Sequence, residues 1–169
     1  MRILFDEHAI AREVARLARE IVSHEPRVEL AVPILTGAFV FASDLVRALA
    51  REGLDMQVEC ISLSRYSNTR RGLDDIVVRM GAGDAAWDKH ILLIDGVLDH
   101  GHTLVRARTL LRDAGARSVT IAVAVDKGRE GALVKADYAA FSGVDTFIVG
   151  YGMDDAGLRR GLPYIAAVE

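Results

Sequence analysis

The chain predicts an α/β fold, a mostly parallel twisted sheet flanked by helices. Three features predict it: apolar, often β-branched runs alternate with segments whose apolar residues recur at helical spacing, and polar or glycine-marked turns follow the runs. Asp6 stands where it can cap a helix whose stripe is Ile10, Val14, Leu17, Ala18 and Ile21. Val28 to Leu35 is a mostly apolar strand ending at Thr36-Gly37. A second stripe, Phe39, Ala42, Leu45, Val46 and Leu49, follows and closes at Gly53. Met56 to Leu63 predicts another strand, with Cys60 as a small core residue on it, and Ser64 to Asp75 a polar, mobile loop. Ile76 to Val78 is a short strand. His90 to Ile94 is a further one that stops at Asp95-Gly96, before a helix from Thr103 to Ala114 capped by Gly115. Trp87, in the polar approach to that strand, is assigned to surface packing. Ser118 to Val125 and Thr146 to Val149 complete the strands, and a glycine-broken segment leads to Leu162-Pro163-Tyr164.

At 169 residues, 51% hydrophobic, the chain is expected to form a single domain, residues 1–169, around one closed core. With 21 Lys and Arg against 24 Asp and Glu the net charge is -3, which offers no general attraction to nucleic acid or a membrane surface. Asp6 and Glu7 interrupt the opening apolar residues too early for a signal peptide, and no later run reaches the ~18 residues of a spanning helix, so a soluble, cytoplasmic protein is expected. A single cysteine, Cys60, precludes an internal disulfide or a thiolate-rich zinc site.

In a sheet of this kind ligands sit beyond the carboxyl ends of the strands, and Thr36-Gly37, Asp95 to Thr103, Asp126-Lys127 and Phe147 to Asp154 all lie there. The segment Ile91 to Leu104 is the most informative. A buried strand delivers Asp95, Asp99 follows four residues on, and Gly101 opens a helix whose free amides, with the Thr103 hydroxyl, suit a phosphate. Two carboxylates beside a phosphate cradle fit a phosphorylated sugar.

This segment resembles the phosphoribosyl pyrophosphate motif of the type I phosphoribosyltransferases: an apolar strand, two acidic residues, two apolar residues, Asp, a small residue, Gly, any residue and Thr. Asp95 takes the first acidic place, Asp99 the later one, and Gly101 and Thr103 the phosphate loop. Gly96 replaces the second acid and His100 the usual Thr. Ile34 to Phe41 resembles the family's pyrophosphate loop, with a cis peptide expected at Thr36-Gly37. Ser64-Arg65-Tyr66 is similar to the start of its flexible loop. Asp126-Lys127, Phe147-Ile148, Val149 to Asp154, Arg160 and Leu162 to Ile165 resemble the hypoxanthine-guanine branch.

The resemblance implies the family fold with a small hood region and a flexible loop. It implies transfer of ribose 5-phosphate from phosphoribosyl pyrophosphate to a 6-oxopurine, hypoxanthine or guanine, in purine salvage. Phosphoribosyl pyrophosphate would meet Thr36, Gly37, Asp95, Asp99, His100, Gly101, His102, Thr103 and Arg160. The purine would meet Lys127, Phe147 and Ile148, and Arg65 and Tyr66 would sit on the closing loop. Asp95 and Asp154 would hold Mg2+, and Asp99 would take the proton from the attacking purine nitrogen. A homo-oligomer, dimer or tetramer, is expected from fold analogy. Gly96 leaves the second acid's hydrogen bond unmade, so phosphoribosyl pyrophosphate use is expected to be weak and Gly96→Asp to improve it. The same glycine is the best support for an alternative reading, a nucleotide-binding regulatory relative without turnover. A transition-metal site of His90, His100 and His102 with Asp95 and Asp99 is ranked behind phosphate-supporting roles for the histidines.

Overall fold

A computed structural model describes residues 1–65, 76–80 and 82–168. The strands are β1 (Arg2–Phe5), β2 (Leu30–Leu35), β3 (Gln57–Val58), β4 (Ile61–Arg65), β5 (Ile76–Met80), β6 (His90–Leu98), β7 (Ser118–Asp126), β8 (Tyr138–Ser142), β9 (Ile148–Val149) and β10 (Ile165–Ala167). The helices are α1 (Glu7–His24), α2 (Phe39–Arg51) and α3 (His102–Asp113), with a 3₁₀ turn at Gly83–Ala86. The main sheet runs β5-β4-β2-β6-β7-β8, with β3 beside β2. Among the described residues the β4/β5 pairing of this sheet is antiparallel and its other pairings are parallel. A separate antiparallel sheet, β1-β10-β9, forms the hood.

The central strands sort their side chains by alternation. Leu92 and Ile94 of β6 and Ala122 and Ala124 of β7 face a layer made by α1 and α2, while Ile91, Leu93, Ile121 and Val123 face α3. The alanines let α1 and α2 come close, and the larger residues fill the α3 side. In α1 the expected stripe is entirely buried and the Asp6 carboxylate accepts from the Ala9 N–H. In α2 the stripe is rotated: Phe39 is exposed, and Phe41 takes the core position instead.

The Met56 to Leu63 strand is broken into β3 and β4, and Val58 and Cys60 are not core residues. Ser64 and Arg65 belong to β4 rather than to a loop. β6 does not stop at Asp95-Gly96. It continues to Leu98 because Asp95, Val97 and Leu98 stay in register with Val123, Val125 and Asp126 of β7.

Candidate active site

Two cavities meet at the carboxyl ends of β2 and β6. One, of about 550 Å³, is lined by Ile34, Leu35, Gly37, Leu63, Asp95, Val97 and the turn from Asp99 to Leu104. The other, of about 220 Å³, is lined by Gly96, Lys127, Phe147, Ile148, Met153, Asp154 and Arg160. Gly37, Asp95, Val97 and Asp99 belong to both.

The first cavity's floor is a turn that demands glycine. Gly101 has φ 88°, and a Cβ there would lie 2.7 Å from Val134 Cγ1. It delivers the N-terminus of α3 to the cavity, where the first amides have no acceptor within the helix. The Leu133 N–H donates to the His100 carbonyl at 2.9 Å, which fastens the turn to the loop after β7. His100 and His102 rings lie 6.4 Å apart, His100 outward. His90 sits at the far end of β6, bonded to Ser118, and among the described residues no group of three His, Cys, Asp or Glu is arranged to hold a metal. His90 therefore stands apart from His100, His102, Asp95 and Asp99.

The pyrophosphate-type loop has its cis peptide at Leu35-Thr36, one bond before the expected Thr36-Gly37. The residue types around the bond do not single out either peptide. Leu35 and Gly37 line the first cavity, whereas Thr36 is exposed outside it. The Gly37 carbonyl oxygen is clasped between two other glycines. A Cβ on Gly96 would come 2.8 Å from it, and one on Gly152, where φ is +99°, would overlap it. This overturns the expectation that an aspartate can be restored at Gly96: the space its Cβ needs is occupied by backbone.

Asp95 is half-buried and lines both cavities, and among the described residues its carboxylate accepts the Gly96 N–H, at 2.7 Å. Desolvation, partly offset by that bond, pushes the carboxyl up to about 7. Three nitrogens surround the Asp99 carboxylate: Arg129 Nε, which donates at 2.9 Å, Lys127 Nζ at 3.2 Å, and His100 Nδ1 at 3.1 Å. Burial raises its carboxyl, but the bonds and charges of Arg129 and Lys127 outweigh that and hold it below the usual range. The Lys127 side chain is only 8% exposed, whereas Phe147 is half exposed beside buried Ile148. Arg160 donates to the Gly152 carbonyl and pairs with Asp154 at 2.7 Å.

Thus Gly37, Asp95, Asp99, Gly101, His100, His102, Thr103, Lys127, Phe147, Ile148, Asp154 and Arg160 converge on the two cavities. Arg65 ends β4, and Tyr66 lies outside the described residues. Sequence reasoning missed Arg129. Its signal was its place two residues after Lys127 on the same loop.

A glycine-clasped loop, a helix N-terminus and paired carboxylates at the ends of a parallel sheet suit a protein that handles a phosphorylated sugar. The phosphoribosyl transferase domain matches residues 2–156, and the chain belongs to that family, in its hypoxanthine-guanine branch. The hypoxanthine-guanine phosphoribosyltransferase of Bacillus subtilis is 30% identical over 99% of this chain and 93% of its own length. That of Dictyostelium discoideum is 32% identical over 99% and 94%. Among solved structures, the hypoxanthine phosphoribosyltransferase of Trypanosoma cruzi in complex with the product IMP superposes with a TM-score of 0.88 at 26% identity, over 100% of this chain and 94% of that one.

Proposed function

We infer that the chain is an enzyme of purine salvage that transfers the ribose 5-phosphate of phosphoribosyl pyrophosphate to hypoxanthine or guanine, releasing pyrophosphate. The observation that carries the reading is the meeting of a phosphate cradle, a donor-ringed Asp99 and a cavity with Lys127 and Phe147. The whole chain, residues 1–169, acts as one catalytic domain in the cytoplasm, as a homo-oligomer. Among the described residues no helix is long and apolar enough to cross a membrane.

In this reading the 5-phosphate sits on the α3 N-terminus and the pyrophosphate on the loop at Gly37, with Arg160 near it. Phe147 stacks on the purine, the Ile148 backbone borders it, and Lys127 donates to the 6-oxo group. A 6-amino group would leave that donor facing another donor, so adenine is refused. Asp99 takes the purine N–H proton as the nitrogen attacks the sugar's oxocarbenium-like carbon. Mg2+ would be held by Asp95, which makes no ion pair among the described residues, and by Asp154, which lines the same cavity and also pairs with Arg160. Such an ion takes one or two carboxylates plus substrate phosphates, and when bound it neutralises the departing pyrophosphate.

The regulatory alternative is not favoured. Its main support was Gly96, and close packing against Gly37 accounts for that residue. The test is formation of IMP or GMP from phosphoribosyl pyrophosphate with magnesium present. Turnover is expected, with Lys127→Ala relaxing the preference for a 6-oxo group. Nucleotide binding without turnover would overturn the reading.

A further inference from the structure

The loop after β7 carries two cations two residues apart, and both end on Asp99. Lys127 Nζ approaches Oδ2, and Arg129 Nε donates to Oδ1. The far end of the same guanidinium, Nη1, bonds Asp145 Oδ1. Asp145 is 77% exposed and Arg129 33%, so the arginine runs from the cleft wall to the surface and is tied at both ends. A guanidinium is a rigid planar fork and can serve two carboxylates without changing shape. No phosphate, purine or metal contact proposed above uses it.

The arrangement sets a problem. A carboxylate with a cation on each oxygen is a poor proton acceptor, and one oxygen must be released before Asp99 can act as base. Lys127 has a second task, donation to the purine 6-oxo group, and it contacts only Oδ2. Arg129 has none, and it contacts Oδ1.

Resting on the reading of Asp99 as base, we propose that Arg129 is its positioning residue. Arg129 anchors Oδ1 through Nε while Asp145 holds the other end, so that Oδ2, released when Lys127 turns to the purine, is the oxygen that receives the proton. The step balances. The purine nitrogen pair forms the bond to the sugar carbon, the carbon–oxygen bond to pyrophosphate breaks with its pair leaving on oxygen, and the N–H proton passes to Oδ2 and later to solvent. The ionisable and charged groups that share a cavity or a contact with Asp99 among the described residues are Asp95 from β6, His100 and His102 from its own turn and α3, Lys127 and Arg129 from the loop after β7, Asp154 and Arg160 from the hood side, and Asp145 through Arg129. Asp126 accepts from the Gly128 N–H and holds that loop.

Arg129→Gln keeps a donor and removes the charge, and Arg129→Lys keeps the charge. The Asp99 carboxyl would be titrated by NMR in the substrate-free protein, and kcat measured against pH. In Arg129→Gln both the midpoint and the acid limb of kcat are expected to rise by roughly one pH unit. Arg129→Lys should return most of that shift, and the KM for phosphoribosyl pyrophosphate should stay unchanged in both variants. An unmoved midpoint, or a raised KM with an unmoved kcat profile, overturns the proposal. If the wild-type protein makes no nucleotide, the functional reading falls, and the substrate-free titration still decides whether Arg129 holds Asp99.

Discussion

Gly96 illustrates how one residue carries two demands. Family resemblance asks for an acid there, but the Gly37 carbonyl lies 2.8 Å from where its Cβ would be, and backbone does not give way as a flexible side chain does. Gly96→Ala is therefore expected to destabilise by about 1–3 kcal/mol, the usual range for overpacking, and to raise the KM for phosphoribosyl pyrophosphate by moving the Gly37 loop. Gly96→Asp should be worse on both counts, and an unchanged KM and melting temperature would show that the clasp can relax. Asp95 makes a second prediction, on pH. Its carboxyl is raised from 3.8 to about 7 in the folded state. Between those values the native protein keeps a proton that the unfolded chain has released, so ligand-free stability falls as pH rises through the window and stays low above it. The cost is about 1.4 kcal/mol per pH unit of displacement. Asp95→Asn should melt with the wild type near pH 4 and roughly 5 °C or more above it at pH 8. Equal melting at pH 8 would mean that the carboxylate is solvated.

Elements differ in how plainly the chain announces them. The α1 stripe was legible because five apolar residues at helical spacing leave no other way to bury them, and β6 and β7 because both of their faces are apolar. The β1 and β10 strands were not, since each is short and acquires its partner only across the whole chain. Tyr138 to Ser142 was missed for a related reason: it follows β7 through a loop without a helix, so the alternation that marks the other parallel strands is absent. Lys127 and Phe147 were found through resemblance rather than pattern, whereas Arg129 belongs to no motif, and its place two residues after Lys127 gains meaning only once the loop after β7 folds over Asp99. The end of α3 offers a test at this scale. Gly115, at φ 88°, lies against the Trp87 ring with no room for a Cβ, and Asp88, whose N–H donates to the Gly115 carbonyl, accepts from Arg117 in a two-pronged pair. Gly115→Ala combines a left-handed backbone with a ring clash and should cost on the order of 1–3 kcal/mol. Adding Trp87→Ala should recover the ring's share, visible as a non-additive double-mutant cycle. Additive losses would leave only the backbone.

Across the molecule, the two groups of cavity-lining residues rest on different sheets. The parallel sheet carries Asp95, Asp99 and the α3 N-terminus, and the hood carries Phe147, Ile148 and Asp154. They are joined by the glycine clasp at Gly37, by the Tyr151 hydroxyl donating to Asp44 at 2.8 Å, and by the Phe5–Phe141 stack. Within the hood everything depends on β10, whose Ala166 pairs with Ile3 on one side and Val149 on the other, while the Val168 N–H donates to the Phe147 carbonyl at 3.0 Å. Phe147, the residue proposed to stack on the base, is thus fastened by a strand remote from it in sequence. Proline in a central strand removes a ladder donor and does not fit the pairing. Ala166→Pro should therefore lower the melting temperature by several degrees and loosen β9. Its kinetic signature should be selective, with the purine KM rising more than the phosphoribosyl pyrophosphate KM, because the phosphate cradle on α3 does not depend on β10. Equal increases in the two constants would mean that the sheets respond as one unit and that the hood has no separate hold on the base.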